Sequence, residues 1–251
     1  MKSIVLIGSG NVATHLGLSL VNEGYNIKQV WSKRLKNADI LARKLESSST
    51  NDLNNLKNAD LYIVAVKDDA LKSVIQQLNV INIIHTSGSI GLEVFNNKFI
   101  NCGVIYPLQT FNKDLTLDLS KAPIFIEANN ELFRNELMNI GNKLSKKVVL
   151  MNSEQRKQLH IAAIFACNFT NHMFVIADTI LTKSNIDFKL LLPIINQTII
   201  KLNTNKPSQV QTGPAKRKDK EMIQNHINNI SDNKIKEIYS LISDSIIENY
   251  E

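Results

Sequence analysis

The chain has 251 residues, with 29 Lys and Arg against 23 Asp and Glu, a formal charge of +6. At 43% hydrophobic and 21% charged, it has the make-up of a globular protein, which excludes wholesale disorder. Cys102 and Cys167 lie far apart, with no CxxC and no Cys/His cluster, which argues against a disulfide scaffold and a zinc site. The expectation is a cytoplasmic protein in a reducing compartment, without a metal. Met1 leads straight into the apolar run 4–7 with no basic n-region, so the start does not read as a signal peptide. The most apolar later stretch, 159–181, is interrupted by His160, Asn168, Asn171, His172 and Asp178, which reads against a membrane span. Basic residues are spread out rather than gathered into an arm, so no nucleic-acid partner is expected.

Taken in chain order, 4–7 reads as a strand and 11–23 as a helix ended by Gly24. A second strand at 27–31 precedes a polar helix at 38–45. Strand 61–66 precedes helix 70–78, and strand 80–85 follows. Then come short β-rich runs at 103–106 and 123–126, a helix at 131–144 and a last strand at 148–150. This alternation predicts a Rossmann-type α/β domain, a doubly wound and mostly parallel sheet. From residue 152 the pattern is helical only. Asn152 or Ser153 caps a long helix reaching about residue 183, with Gln155 placed to complete a capping box on Asn152. A helix runs from Phe188, despite Pro193, to about residue 203. A loop over 204–215 holds Pro207, Gly213 and Pro214, and helices at 218–230 and 232–248 follow. The reading is a doubly wound domain over 1–151 and an all-helical domain over 152–251.

The first strand runs into Gly8-Ser9-Gly10-Asn11-Val12-Ala13, a G-x-G-x-x-A turn between strand and helix. Gly8 permits the tight turn, Gly10 lets a pyrophosphate approach the backbone, and Ala13 lets the helix pack close to the strand. Asn11 and Val12 open the helix whose N–H groups and dipole favour that anion. The second strand ends in Trp31-Ser32-Lys33-Arg34, where NAD-binding chains usually place a carboxylate for the ribose. Ser32, Lys33 and Arg34 instead suit a 2′-phosphate, so NADP is favoured over NAD; the competing reading is a solvated helix start. Val66 and Lys67 are expected to line the cofactor through their backbone, and Asp68 and Asp69 to cap the next helix. The fourth strand ends in His85-Thr86-Ser87, placed near the nicotinamide. His85 is open to two roles, proton donor or packing residue.

On the long helix, at about 100° per residue with His160 as zero, Asp178 falls near 0°, Asn171 about 20°, Asn168 about 80° and Arg156 about −40° away. One face thus carries Asn and His rather than Lys and Glu, which suits a ligand. A buried polar network or a dimer seam explains the same face. Thr212-Gly213-Pro214-Ala215-Lys216-Arg217 reads as a rigid turn before a basic helix start, with Arg217 the candidate for a substrate anion.

With these residues laid out, the chain resembles a family of Rossmann-like NADP oxidoreductases with a DUF2520 C-terminal domain. The resemblance rests on 8–13, 85–89 (HTSGS), 106–111 (YPLQTF), 153–160 (SEQRKQLH), 165–172 (FACNFTNH) and 212–217 (TGPAKR). The N-terminal half also looks like pyrroline-5-carboxylate reductases and F420-dependent NADP oxidoreductases. On its long helix the chain lacks the Lys followed four residues later by Asn of β-hydroxyacid dehydrogenases, since Lys157 is followed at that spacing by Ile161. The resemblance implies a fold and a cofactor class; the residues themselves suggest an NADP-dependent oxidoreductase carrying hydride to a C=O or C=N bond of a small anionic metabolite. His160 or His85 would give the proton and Asn168 would orient the substrate, with Tyr106, Gln109, Asn171 and Arg217 as substrate contacts. An F420-linked reductase is a minor alternative. A non-catalytic NADP-binding sensor or partner-binding module is the alternative from a different class. A homodimer is expected through an apolar stripe at Ile194, Ile195, Ile199, Ile200, Ile238, Leu241, Ile242 and Ile246.

Overall fold

The computed structural model describes residues 1–115 and 117–250. Its sheet is assembled from β1 (Ser3–Ile7), β2 (Asn26–Trp31), β3 (Ser48–Thr50), β4 (Leu61–Val64), β5 (Asn82–His85), β6 (Asn101–Pro107), β7 (Ile124–Ala128) and β8 (Val148–Leu150). The strand order is β3-β2-β1-β4-β5-β6-β7-β8. Every neighbouring pair is parallel except β6 with β7. Helices α1 (Asn11–Asn22), α2 (Leu35–Lys44), α3 (Asp68–Gln77) and α4 (Glu131–Leu144) connect these strands.

The two-residue period of β1 explains why helices cover both faces. Ile4 and Leu6 pack in one apolar cluster with Leu16 and Leu20 of α1, Leu41 of α2 and Phe133 and Leu137 of α4. Val5 and Ile7 pack in another with Leu71 and Val74 of α3 and Phe95. A strand buried on both sides needs apolar residues at consecutive positions, which is what 4–7 supplies. The chain is therefore a doubly wound, mostly parallel α/β sheet followed by helices.

After β8 come α5 (Ser153–Ala163), a π-helical segment (Ile164–Phe169), α6 (Thr170–Thr182), α7 (Leu192–Lys201), α8 (Pro207–Val210), α9 (Lys220–Asn229) and α10 (Asn233–Asn249). The capping box at Asn152 and Gln155 is present in both directions. The chain divides into two compact units, Met1–Cys167 and Asn168–Glu251. The division lies beyond residue 151 because α5 stays tied to the sheet: Arg156 of this helix is buried and bonded to Glu127 on β7.

Several local expectations change. Strand β3 (sequence SST) carries no apolar signal and is set instead by backbone pairing to β2. Asp68 and Asp69 do not cap α3; Lys67 holds the N-cap position and the two carboxylates lie in the first turn, where they face the helix dipole. Continuous α-helix over 152–183 is interrupted by the π segment, in which each residue turns through less than 100°. The angular alignment of Asn168, Asn171 and Asp178 with His160 therefore does not carry across it. Nor do the polar interruptions disqualify this stretch on hydropathy. Ser153–Thr182 is 30 residues long and holds a window of mean hydropathy 1.4, so length and composition alone would let it cross a membrane.

Candidate functional site

The carboxyl ends of β1, β2 and β4 surround the Gly8–Gly10 turn. Gly8 has φ +128°, and a Cβ there would lie 2.1 Å from the Ala65 carbonyl oxygen, so only glycine lets the turn sit on β4. Gly10 differs, since a Cβ on it would meet nothing within 4 Å. Gly10 is also the N-cap of α1, and no side chain caps that end. An uncapped helix start beside an open backbone suits a pyrophosphate.

A cavity of about 910 Å³ spreads from this turn, lined by Gly8, Gly10, Ser32, Lys33, Arg34 and the end of β4. The Ser9 hydroxyl donates to Ser32 Oγ at 2.9 Å, so the tips of β1 and β2 are joined by their side chains. Lys33 and Arg34 are exposed and make no ion pair among the described residues. The donors fit a phosphorylated ribose, and no carboxylate occupies the tip of β2.

A second cavity of about 330 Å³ shares Gly10, Ala65, Val66 and Lys67 with the first. Its remaining walls include Asn11, Val12, Thr86, Tyr106, Gln109 and His160. Every residue lining it falls within Met1–Cys167. Tyr106 at the end of β6 and His160 on α5 are joined by a hydrogen bond of 2.9 Å between the phenol oxygen and Nδ1. Both rings press on Gly88: a Cβ there would lie 2.7 Å from His160 Nδ1 and 2.7 Å from Tyr106 Cζ. The Gly in HTSGS is thus the space that the pair occupies. Burial pushes the Tyr106 phenol up to about 12, outweighing the opposite pull of the Arg156 charge. The hydroxyl therefore keeps its proton at neutral pH.

The other expected site residues divide between this cavity and other places. His85 is buried and stacked on Phe95, and its Nδ1 accepts from the Ser87 N–H. Burial, followed by the Arg156 charge, holds its pKa down to about 3. It is neutral, enclosed and absent from the cavity wall, so the proton-donor role is withdrawn in favour of the packing role. Thr86, its neighbour, does line the cavity. Asn168 and Asn171 are exposed and belong to the other compact unit, as does Arg217. Gln109 lines the cavity, but its side-chain carbonyl accepts from Thr110 N–H and Oγ1. Ala13 is buried against the sheet in the spacing role expected of it.

Arg156 shows that the network reading of the helix face holds for its first member. The guanidinium is fully buried, pairs with Glu127 through Nη1, and donates to the Ile90 carbonyl at 2.6 Å through Nη2. Glu127 also accepts from the Ser153 N–H at 2.9 Å and from its hydroxyl at 2.8 Å. The sequence gives no sign of Glu127, a lone carboxylate at the end of an apolar strand. Among the described residues no His, Cys, Asp and Glu gather into a metal site.

The model for coenzyme F420-dependent NADP oxidoreductase matches residues 3–87, and that for the domain of unknown function DUF2520 matches 122–246, starting before the helical part. A solved structure from Bacteroides fragilis, named as a candidate NADP oxidoreductase, is 40% identical over 98% of both chains with a TM-score of 0.90. A Thermotoga maritima protein is 21% identical over 98% of both chains, with a TM-score of 0.70. Pyrroline-5-carboxylate reductase of Streptococcus pyogenes shares the fold at 12% identity, over 99% of this chain and 97% of that one, with a TM-score of 0.66. No curated protein matches the chain by sequence. An uncapped glycine turn, a cationic strand tip and these matches agree: the chain belongs to the family of Rossmann-fold NADP oxidoreductases that carry a DUF2520 domain.

Proposed function

We propose that this protein is an NADP-dependent reductase that carries a hydride to a C=O or C=N bond of a small anionic metabolite. The observation that supports it best is the Tyr106–His160 pair in a cavity continuous with the glycine turn. The fold shared with pyrroline-5-carboxylate reductase of Streptococcus pyogenes supports a C=N substrate. The 2′-phosphate would meet Ser32, Lys33 and Arg34, the pyrophosphate would meet Gly10, Asn11 and Val12, and the nicotinamide end would lie by Val66, Lys67 and Thr86. The bound dinucleotide supplies the hydride.

What the chain supplies is position and a proton. A hydroxyl both donates and accepts, so Tyr106 serves either state of His160. Against neutral imidazole it donates to Nδ1, which places the ring proton on Nε2. Against imidazolium it accepts from Nδ1–H, and Nε2–H is the acid that protonates the developing oxyanion or amine nitrogen. Lys67, which lines both cavities, would draw a carboxylate substrate.

Titration calorimetry with NADPH and NADH tests the cofactor, with tighter NADPH binding expected. Equal or reversed preference overturns that choice. A panel of oxo- and imino-acids, followed by NADPH absorbance, tests the chemistry. With a substrate found, His160→Gln should retain NADPH affinity and lose about 10²–10⁴-fold in turnover. A variant of full activity overturns the role of His160, and cofactor binding without turnover on any compound favours the sensor. We infer in addition that the helical unit pairs two copies of the chain, because Ile194, Ile199 and Ile200 on α7 and Leu241 and Ile242 on α10 are exposed.

A further inference from the structure

We propose that Lys113 is a phosphate contact of the bound dinucleotide, carried over the glycine turn by a strap formed by residues 108–115. This assignment rests on the dinucleotide reading above and adds a residue from outside the glycine motif and the β2 tip. The strap follows β6 and is fastened to the first turns of α1 by side chains, not by strand pairing. Asn11 Nδ2 donates to the Phe111 carbonyl at 2.9 Å, and the Lys113 N–H donates to Asn11 Oδ1 at 3.4 Å. One turn further along α1, His15 is buried, and its Nε2 donates to the Asn112 carbonyl at 2.8 Å. The Phe111 ring lies 5.6 Å from that imidazole. Asn11, the first residue of α1, thus spends its side chain on the strap and leaves only its backbone for a phosphate.

The consequence is a roof common to both cavities. Gln109 and Phe111 line the smaller one, and Lys113 lines the larger one together with Gly8, Gly10 and Arg34. Lys113 makes no ion pair among the described residues. Its backbone is fixed to Asn11, next to the open face of Gly10, rather than to the β2 tip where Ser32 and Arg34 stand. That placement assigns its ammonium to the pyrophosphate, whose charge the α1 dipole alone offsets only in part. The 2′-phosphate is left to the residues at the β2 tip.

Titration of the full chain with NADPH and with NADH, each against wild type, Lys113→Ala and Lys113→Arg, tests the assignment. Both dinucleotides carry the pyrophosphate, so Lys113→Ala should weaken both by a similar factor, about tenfold for a charged hydrogen bond. Lys113→Arg should restore most of the affinity, because the charge and not the shape is the requirement. Unchanged affinity of Lys113→Ala for both dinucleotides overturns the proposal while leaving the dinucleotide reading intact. Loss confined to NADPH overturns the pyrophosphate assignment, because it moves the lysine to the 2′-phosphate. Failure of the wild type to bind either dinucleotide overturns the reading itself, and the assignment falls with it.

Discussion

In Met1–Cys167 the sheet is sealed: Ile4, Val5, Leu6 and Ile7 have no exposure, and the one fully buried charge among the described residues, Arg156, is matched by Glu127. In Asn168–Glu251 the apolar side chains lie outward, with Ile194 65% and Leu241 72% exposed. Buried positions there reduce to Ala215 and Ser243 among the described residues. One unit has layers on both sides of a sheet and completes a core within itself. The other is a set of amphipathic helices whose apolar faces exceed what they cover in one another. The dinucleotide site proposed above lies in the finished unit, and the unfinished one suits the association proposed for it.

The sharpest way to break this contrast is at the buried charge. Arg156→Met removes the cation that answers Glu127, and losing one member of a buried pair typically costs about 3–5 kcal/mol. The Ser153 N–H and hydroxyl still serve Glu127, so the loss should fall at the lower end of that range. Denaturant unfolding measures it. Adding Glu127→Gln to Arg156→Met should recover part of the loss, since no uncompensated carboxylate remains. A single variant as stable as wild type would mean that the ion pair does not fasten α5 to β7.

The next test addresses the other unit. Leu241→Asp places a charge on a side chain that is exposed in the single chain. If the α7 and α10 faces bury against a second copy, the loss should be about 1.5–3 kcal/mol of association for this one side chain. Light scattering at micromolar concentration should then report the mass falling toward that of one chain. A wild-type chain that is already monomeric removes the argument for self-association.

How much of this was legible in the sequence follows the same division. The strands read at 4–7, 27–31 and 61–66 could be found because burial on both faces demands unbroken apolar runs, although the third ends at Val64. The glycine turn could be read because Gly8 answers a steric demand that no other residue meets. Glu127 and the ties of the 108–115 strap to α1 could not, although Gln109 within it could be read as a substrate contact, because their partners lie 29 and about 100 residues away and neither leaves a periodic trace. The helix face failed for a local reason: a wheel of constant pitch cannot be carried through the π segment at Ile164–Phe169. His85 and His160 look alike in the sequence, and only burial separates them. One is sealed behind Phe95 and the other stands in the cavity wall beside Tyr106.

That separation has a smaller thermodynamic signature. His85 is held neutral in the folded chain down to about pH 3, against an ordinary value of 6.5, by burial and by the neighbouring Arg156 charge. The unfolded chain takes up a proton as the pH drops below 6.5, and the folded chain does not. The stability that goes with a neutral His85 is therefore complete above pH 6.5 and is lost progressively on the way down toward pH 3. For one proton, the decline between pH 7 and about pH 5.5 amounts to about 1 kcal/mol. Denaturant midpoints at the two pH values should show it in the wild type, and His85→Gln, which cannot charge, should show correspondingly less. A His85→Gln variant with the full wild-type slope would assign the proton uptake to another group and break the contrast between the two histidines.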